Sequence, residues 1–295
     1  MIPKVYIGSA IWRGVEPLHM KALAHLLRDP HYGYFPETGD ALIERARGIS
    51  ASHFLRHTDA EVHLSLDSDI IEFLKPAIDL MCEQAVTHDI VGGLYITRAT
   101  ARTFPTSMFL DNQTIEFASD PTPQPVRWIA TGCVAVHRRG FEKMAETMPL
   151  LHEQDGERAF YNFYHTMEYD TAQDGNTAGR ILLSEDYAFS QRAKELGFTS
   201  HINPVVRVGH VGPYAHRLED MAQEILTPQP LRISHVDRYW QIECAGTKET
   251  PESMGRLPEG KGEEIRKKFD ETRQQRRARR GSRPAGYPSR PAFRR

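Results

Sequence analysis

Strand-length apolar runs alternate with segments of helical spacing from residue 4 to about residue 215, and this alternation constrains the fold most. Lys4 to Ser9 is a β-type run that stops at small residues. Pro17 to Leu27 follows Gly14 with Leu18, Leu23, Leu26 and Leu27 at helical spacing. After a Gly/Pro-punctuated stretch, Tyr32 to Gly39, Asp40 is expected to cap a helix running to about His57, with Leu42, Ala46, Ile49 and Phe54 on one face. Glu61 to Leu66 reads as a strand, Lys75 to Ala85 as a helix, and Asp89 to Thr97 and Arg127 to His137 as strands. A short helix follows near Arg139. Ser184 is expected to cap a helix that Gly197 stops, and Asn203 to His210 is strand-like. Strands alternating with helices predict an α/β fold on a mostly parallel central sheet flanked by helices. Residues 104–126 and 152–180 are polar and read as long surface excursions, of the kind compact domains keep for function.

Charge divides the chain in two. The 295 residues carry a net charge of −2, but residues 261–295 hold 13 basic and 4 acidic side chains against 24 and 35 in the remainder. Apolar periodicity fades beyond about residue 250, and Thr272 to Arg295 contains nine arginines and no acid. The expected organisation is a domain over 1–250 and a polar, Arg-rich, disordered tail over 251–295. With 40% hydrophobic residues the body can bury a core, which excludes a wholly disordered chain. No apolar run approaches the ~20 residues that span a bilayer, and the opening residues lack the pattern of a signal peptide. The expectation is a soluble, cytoplasmic protein. Cys82, Cys133 and Cys244 lie too far apart for a zinc or disulfide framework and are expected to be reduced packing residues.

Three features can carry chemistry. Asp67-Ser68-Asp69 stands where an apolar strand gives out, and ligands gather at the carboxyl ends of strands in open α/β sheets. Two carboxylates at that spacing can share Mg²⁺ or Mn²⁺, which in turn binds phosphate oxygens. The same triplet also suits a strand-to-turn junction. Glu185-Asp186 opens a helix, where a carboxylate can act as a base toward a hydroxyl or simply stabilise the helix N-terminus. His210, between Gly209 and Gly212, can complete a metal site or serve as a structural histidine.

Taken in this order, these features resemble the GT-A class of nucleotide-sugar-dependent glycosyltransferases over residues 4–215. Lys4 to Ser9 is similar to the family's first nucleotide-binding strand, and the helix containing Arg47 to the segment before its metal motif. Leu66 to Ile70 resembles the DxD motif, Asp89 to Thr97 and Thr131 to His137 the two central strands, and Ser184 to Gly197 the acidic helix start. The resemblance implies a GT-A-like, Rossmann-like domain. It further implies a metal-dependent hexosyltransferase in which Mn²⁺ or Mg²⁺ is held by Asp67, Asp69 and His210. The nucleotide-sugar donor would meet Gly8, Ser9, Arg47, Asp67, Ser68, Asp69, Thr131 and Gly132, with Asp186 and Glu185 catalytic and Tyr95, Arg98 and Trp128 on the acceptor side. The long 152–180 insertion and the arginine tail depart from a simple bacterial pattern.

Nine arginines can neutralise several phosphates, so DNA is an expected partner of the tail. A hydroxylated base in DNA is then one candidate acceptor, as in a DNA-modifying bacteriophage enzyme acting in the host cytoplasm. Protein and glycan acceptors stand beside it. Two rival readings stand beside this one: a metal-dependent phosphotransferase or hydrolase using the same Asp67, Asp69 and His210, and a non-catalytic nucleic-acid-binding module whose α/β body is only a scaffold.

Overall fold

Val5, Ile7, Val62, Leu64, Leu66, Ile90 and Val91 are buried in neighbouring strands, and their side chains build the centre of one sheet. The computed structural model describes residues 2–97, 110, 113–117, 119–153, 156, 158–174, 179–212, 215–216, 231–236 and 239–244, all within the unit Met1–Thr247. The chain runs β1 (Val5–Ile11), α1 (Pro17–Leu26), β2 (Tyr32–Thr38), α2 (Ile43–His57), β3 (Val62–Leu66), β4 (Ile70–Ile71), α3 (Lys75–His88) and β5 (Ile90–Leu94). Then come β6 (Thr114–Phe117), β7 (Gln124–Val126), β8 (Cys133–His137), α4 (Arg138–Ala145), β9 (Leu151–His152), β10 (Ala159–Phe160), β11 (Met167–Asp170) and β12 (Arg180–Leu183). The described part closes with α5 (Glu185–Glu195), β13 (Ser200–Arg207), β14 (Gly209–Val211), β15 (Ala215–His216), β16 (Leu231–Val236) and β17 (Tyr239–Cys244). The Arg-rich tail and Arg98 lie outside the described residues. Among those described, no helix is long and apolar enough to cross a membrane.

The main sheet has seven strands in the order β2-β1-β3-β8-β5-β13-β7. Pairing is parallel for β1 with β2 and β3 and for β5 with β13, and antiparallel wherever β8 or β7 is involved. Five strands therefore run one way, and the fold is mixed α/β with a mostly parallel sheet, as the alternation predicts. Helices α2 and α4 touch one another, as do α4 and α5; α1 and α3 form a second touching pair.

Several local expectations shift. β2 lies in the stretch read as turn punctuation because Gly33 and Pro36 interrupt it. It is an edge strand, where a proline without an N–H costs no ladder bond on the open side. The same tolerance admits Pro125 to β7, the opposite edge. Residues 104–126 thus contain β6 and a strand of the main sheet, and residues 152–180 fold into the paired strands β9–β10 and β11–β12 rather than a plain excursion. Asp40 is not the N-cap of α2. Leu42 occupies that position, and the Asp40 carboxylate accepts from Leu42 N at 2.9 Å and from Arg45 Nε and Nη2 at 2.6 and 2.9 Å. Ser184 does hold the N-cap position of α5, but its side chain makes no capping bond. Gly197 follows α5 with φ +91°, the left-handed stop that glycine supplies. Cys82 and Cys133 are buried free thiols, as expected of packing residues.

Candidate active site

The strand directions bring the chemistry-bearing residues to one edge. Parallel β3 and β5 end at Leu66 and Leu94, delivering Asp67-Ser68-Asp69 and Tyr95. Antiparallel β8 starts beside them, with Cys133 opposite Leu66, so Thr131 and Gly132 arrive from its amino end. Asp67 N donates to Gly132 O at 2.9 Å, which closes this seam. Helix α5 leads into β13 and helix α2 into β3, so the amino-terminal halves of both helices, with Glu185, Asp186 and Arg47, lie at the same edge.

Arg47 is the hub. Its Nη2 donates to Asp67 Oδ2 at 2.7 Å, and its Nη1 donates to Asp186 Oδ1 at 2.7 Å and Glu185 Oε1 at 3.2 Å. The Arg47 side chain is 7% exposed, while Asp67, Glu185 and Asp186 are 21–24% exposed, so the cation is sealed beneath carboxylates that solvent still reaches. Thr131 Oγ1 also donates to Asp186 Oδ1. Burial lowers the Arg47 guanidinium, but Asp67, Asp186 and Glu185 outweigh it and hold the group well above the ordinary arginine value. Burial raises the Asp67 carboxyl; Asp69 and Asp186 add to this and Arg47 opposes it without reversing it. Glu185 is raised by burial and then by Asp186, again against Arg47.

His210 comes from β14, which pairs antiparallel with β4: Gly209 lies opposite Ile71 and His210 opposite Ile70. Val211 N donates to Asp69 O at 2.9 Å, extending the ladder. His210 Nδ1 lies 3.0 Å from Ile96 O and donates to that carbonyl, which leaves Nε2 to face Asp69. That Nε2 stands 3.6 Å from Asp69 Oδ1, a separation two ligands of one cation can span. Asp67 Oδ1 is buried without a hydrogen bond. These donors suit a hard divalent ion that draws its remaining oxygens from a bound ligand or water. Among the described residues, no three His, Cys, Asp or Glu side chains converge closely enough to hold an ion alone. Asp67 is turned to Arg47.

The remaining sequence candidates divide. Ser9 is buried and donates from Oγ to Leu66 O at 2.6 Å, bracing β1 against the end of β3. Ser68 is partly exposed, and its carbonyl accepts Glu16 N at 3.0 Å. Gly8 is explained by packing, since a Cβ there would meet Ser50 Oγ at 2.1 Å and His63 Nε2 at 2.7 Å. Tyr95, read as an acceptor-side residue, sits against residues read as donor-side and metal-binding: its hydroxyl accepts Gly132 N at 2.8 Å and its ring lies edge-on to His210 at 5.1 Å. A Cβ on Gly132 would reach 2.5 Å from Tyr95 Oη and 3.1 Å from Asp67 Oδ2, so glycine keeps this corner open. Burial, followed by Asp186 and Asp67, raises the Tyr95 phenol well above its usual value, and it stays protonated. Trp128 is 3% exposed, donates to Gln191 at 3.2 Å and packs with Tyr169, Leu183 and Ala188, which is a structural setting.

One residue of this neighbourhood escapes sequence reading. Tyr164 comes from the 152–180 insertion, is fully buried against Phe189 of α5 at 4.7 Å, and its hydroxyl has no hydrogen-bond partner. Burial raises its phenol, and Arg47, Asp186 and Asp67 all act on it. The signal was present: Phe160 to Tyr164 is a dense aromatic run inside an otherwise polar stretch.

No family model and no curated protein matches the chain. Among solved structures, the crystal structure of A197 from STIV is similar to it, at 13% identity and a TM-score of 0.44 over 83% of this chain and 97% of that one.

Proposed function

We propose that the protein is a metal-dependent glycosyltransferase that moves a sugar from a nucleotide-diphosphate donor to a hydroxyl acceptor. One observation carries the reading: Asp67, Asp69, His210, Glu185 and Asp186, far apart in sequence, meet at the carboxyl edge of one mostly parallel sheet. Mn²⁺ or Mg²⁺ would be held by Asp69 and His210, with Asp67 beside them, and would offset the charge that grows on the leaving diphosphate.

The chain's own residues supply the rest. Ile96 O fixes the His210 tautomer so that Nε2 faces Asp69. Gly132 and Tyr95 shape a wall in which a side chain at 132 would collide with both Tyr95 and Asp67. Arg47 and Thr131 both donate to Asp186 Oδ1, which leaves Oδ2 to accept the proton of an acceptor hydroxyl. In a retaining reaction the same carboxylate would orient the acceptor instead. The acceptor itself, including a hydroxylated DNA base reached through the basic tail, is a separate question from the donor site.

The test is hydrolysis of UDP- and GDP-sugars with Mn²⁺ by wild type and Asp69→Ala. Metal-dependent turnover that falls at least about 100-fold in the variant is the expected result, equivalent to about 2.7 kcal/mol of transition-state stabilisation. Equal turnover by the two proteins would overturn the reading.

A further inference from the structure

Arg47 is gripped from two sides. Nη2 holds Asp67 at the end of β3, and Nη1 holds Glu185 and Asp186 in the first turn of α5. One positive charge thus faces three carboxylates, with Asp69 close by through the same strand end. Arg47 Nε, the hydroxyl of Tyr164 and Asp67 Oδ1 are buried here without a hydrogen bond. A structural ion pair normally uses up its donors; this one leaves both negative charge and donor capacity unspent.

We propose that Arg47 is the resident counter-charge of the site, sharing Asp67 with the incoming divalent cation while it keeps Glu185 and Asp186 in place. The inference rests on the metal-dependent reading above and adds an order of events. A cation that approaches Asp67 meets the guanidinium already there, and two like charges around one carboxylate weaken the binding of the bare ion. A diphosphate brings the negative charge that removes this conflict, so the cation is taken up with the nucleotide rather than before it. Arg47 would then act as a positioning residue: Nη2 would leave Asp67 free to hold the ion, and Nη1 would still orient the acidic start of α5.

The experiment measures Mn²⁺ binding to the full chain by electron paramagnetic resonance, with and without UDP, for wild type, Arg47→Met, Arg47→Lys and Asp69→Ala. Arg47→Met should bind Mn²⁺ alone at least about tenfold more tightly than wild type and lose most of the UDP dependence. Arg47→Lys keeps the charge and should stay within about threefold of wild type. A folded Arg47→Met protein, checked by circular dichroism, that binds Mn²⁺ no better than wild type overturns the counter-charge. So does an Arg47→Lys protein that binds it as tightly as Arg47→Met is expected to, a criterion that stands even where Arg47→Met does not fold. A wild type with no saturable Mn²⁺ site even with UDP overturns the metal-dependent reading itself, whereas a site lost in Asp69→Ala but indifferent to Arg47 overturns only this inference.

Discussion

Helix α2 is served by two arginines that do opposite things. Arg138, at the start of α4, donates to the carbonyls of Leu55, Phe54 and Thr58 at 2.9, 3.2 and 2.9 Å and to Ala60 O at 2.8 Å, with its guanidinium 4.5 Å from the Phe54 ring centroid. Its partners are neutral, and they include carbonyls that the last turn of a helix leaves without intrahelical donors. Arg47, inside the same helix, hydrogen-bonds only to carboxylates among the described residues. One arginine finishes a piece of architecture; the other leaves its surroundings over-charged. The contrast teaches that burial and multiple hydrogen bonds do not single out a candidate functional arginine, whereas the charge left over around it does.

The sharpest way to break that contrast is to remove each arginine and add metal. Arg47→Met should cost about 3–5 kcal/mol in metal-free urea unfolding, since it strands partly buried carboxylates. Saturating Mn²⁺ should recover much of that loss. Arg138→Ala should cost about 2–3 kcal/mol through lost charge-assisted bonds to carbonyls, and Mn²⁺ should recover none of it. Equal rescue of the two variants would erase the distinction.

Gly132→Ala probes the open corner beside Arg47's carboxylates. Its Cβ would press on Tyr95 Oη and Asp67 Oδ2, so a stability loss of about 1–3 kcal/mol should accompany weaker donor binding, read by calorimetry. Donor binding at wild-type strength would mean that the corner does not face the donor.

The pH dependence sharpens the same point. Asp67 and Glu185 have raised folded-state values, so the folded protein binds their protons more tightly than the unfolded chain does. The associated stability is fully present below the ordinary carboxylate range near pH ~4 and is lost as pH rises through the raised values. Asp29, Asp40, Asp59 and Asp120 are lowered, and their contribution is lost only as pH falls below that range, on the other side of the window. Five histidines lowered by burial, His19, His53, His63, His137 and His201, push stability up with pH in the same window. In metal-free chemical denaturation the two carboxyls should therefore appear as a negative contribution to the slope above pH ~4, and Asp67→Asn should remove part of that contribution. An unchanged slope in the variant would remove Asp67 as its source.

The smallest expected effect belongs to the structural side of α5. Trp128→Phe loses the bond to Gln191 and should cost about 1 kcal/mol in thermal unfolding while donor hydrolysis stays at the wild-type rate. A large loss of activity would return Trp128 to the acceptor side.

Much of this was legible in the chain. The strand ending at Leu66, the acidic start of α5 and the glycine after it follow from periodicity and terminal signals, and so does the mixed α/β sheet. Partnerships made across the fold were not legible. Nothing local says that Arg47 faces Asp67 and Asp186, that Gly8 is emptied for Ser50 and His63, or that Trp128 turns inward to Gln191. β2 and β7 were hidden because proline is tolerated at a sheet edge, and edge position is a tertiary fact. The aromatic run around Tyr164 was visible but its partners were not, because an insertion's docking surface is set by the helices it meets: Tyr164 stacks on Phe189 of α5, Tyr161 N donates to Ser52 at 2.7 Å, and Gly48 leaves room for Tyr161 O at 2.9 Å from where a Cβ would stand.

The short ladder between β4 and β14 sets His210 beside the residues that follow Asp69 by main-chain register alone. Side chains along a strand alternate faces, so one residue added between Asp69 and Ile70 would turn Asp69 away, and one added between Gly209 and His210 would turn the imidazole away, without altering either residue. The distance between these two side chains is therefore written in chain length, on backbone that the ladder has already ordered.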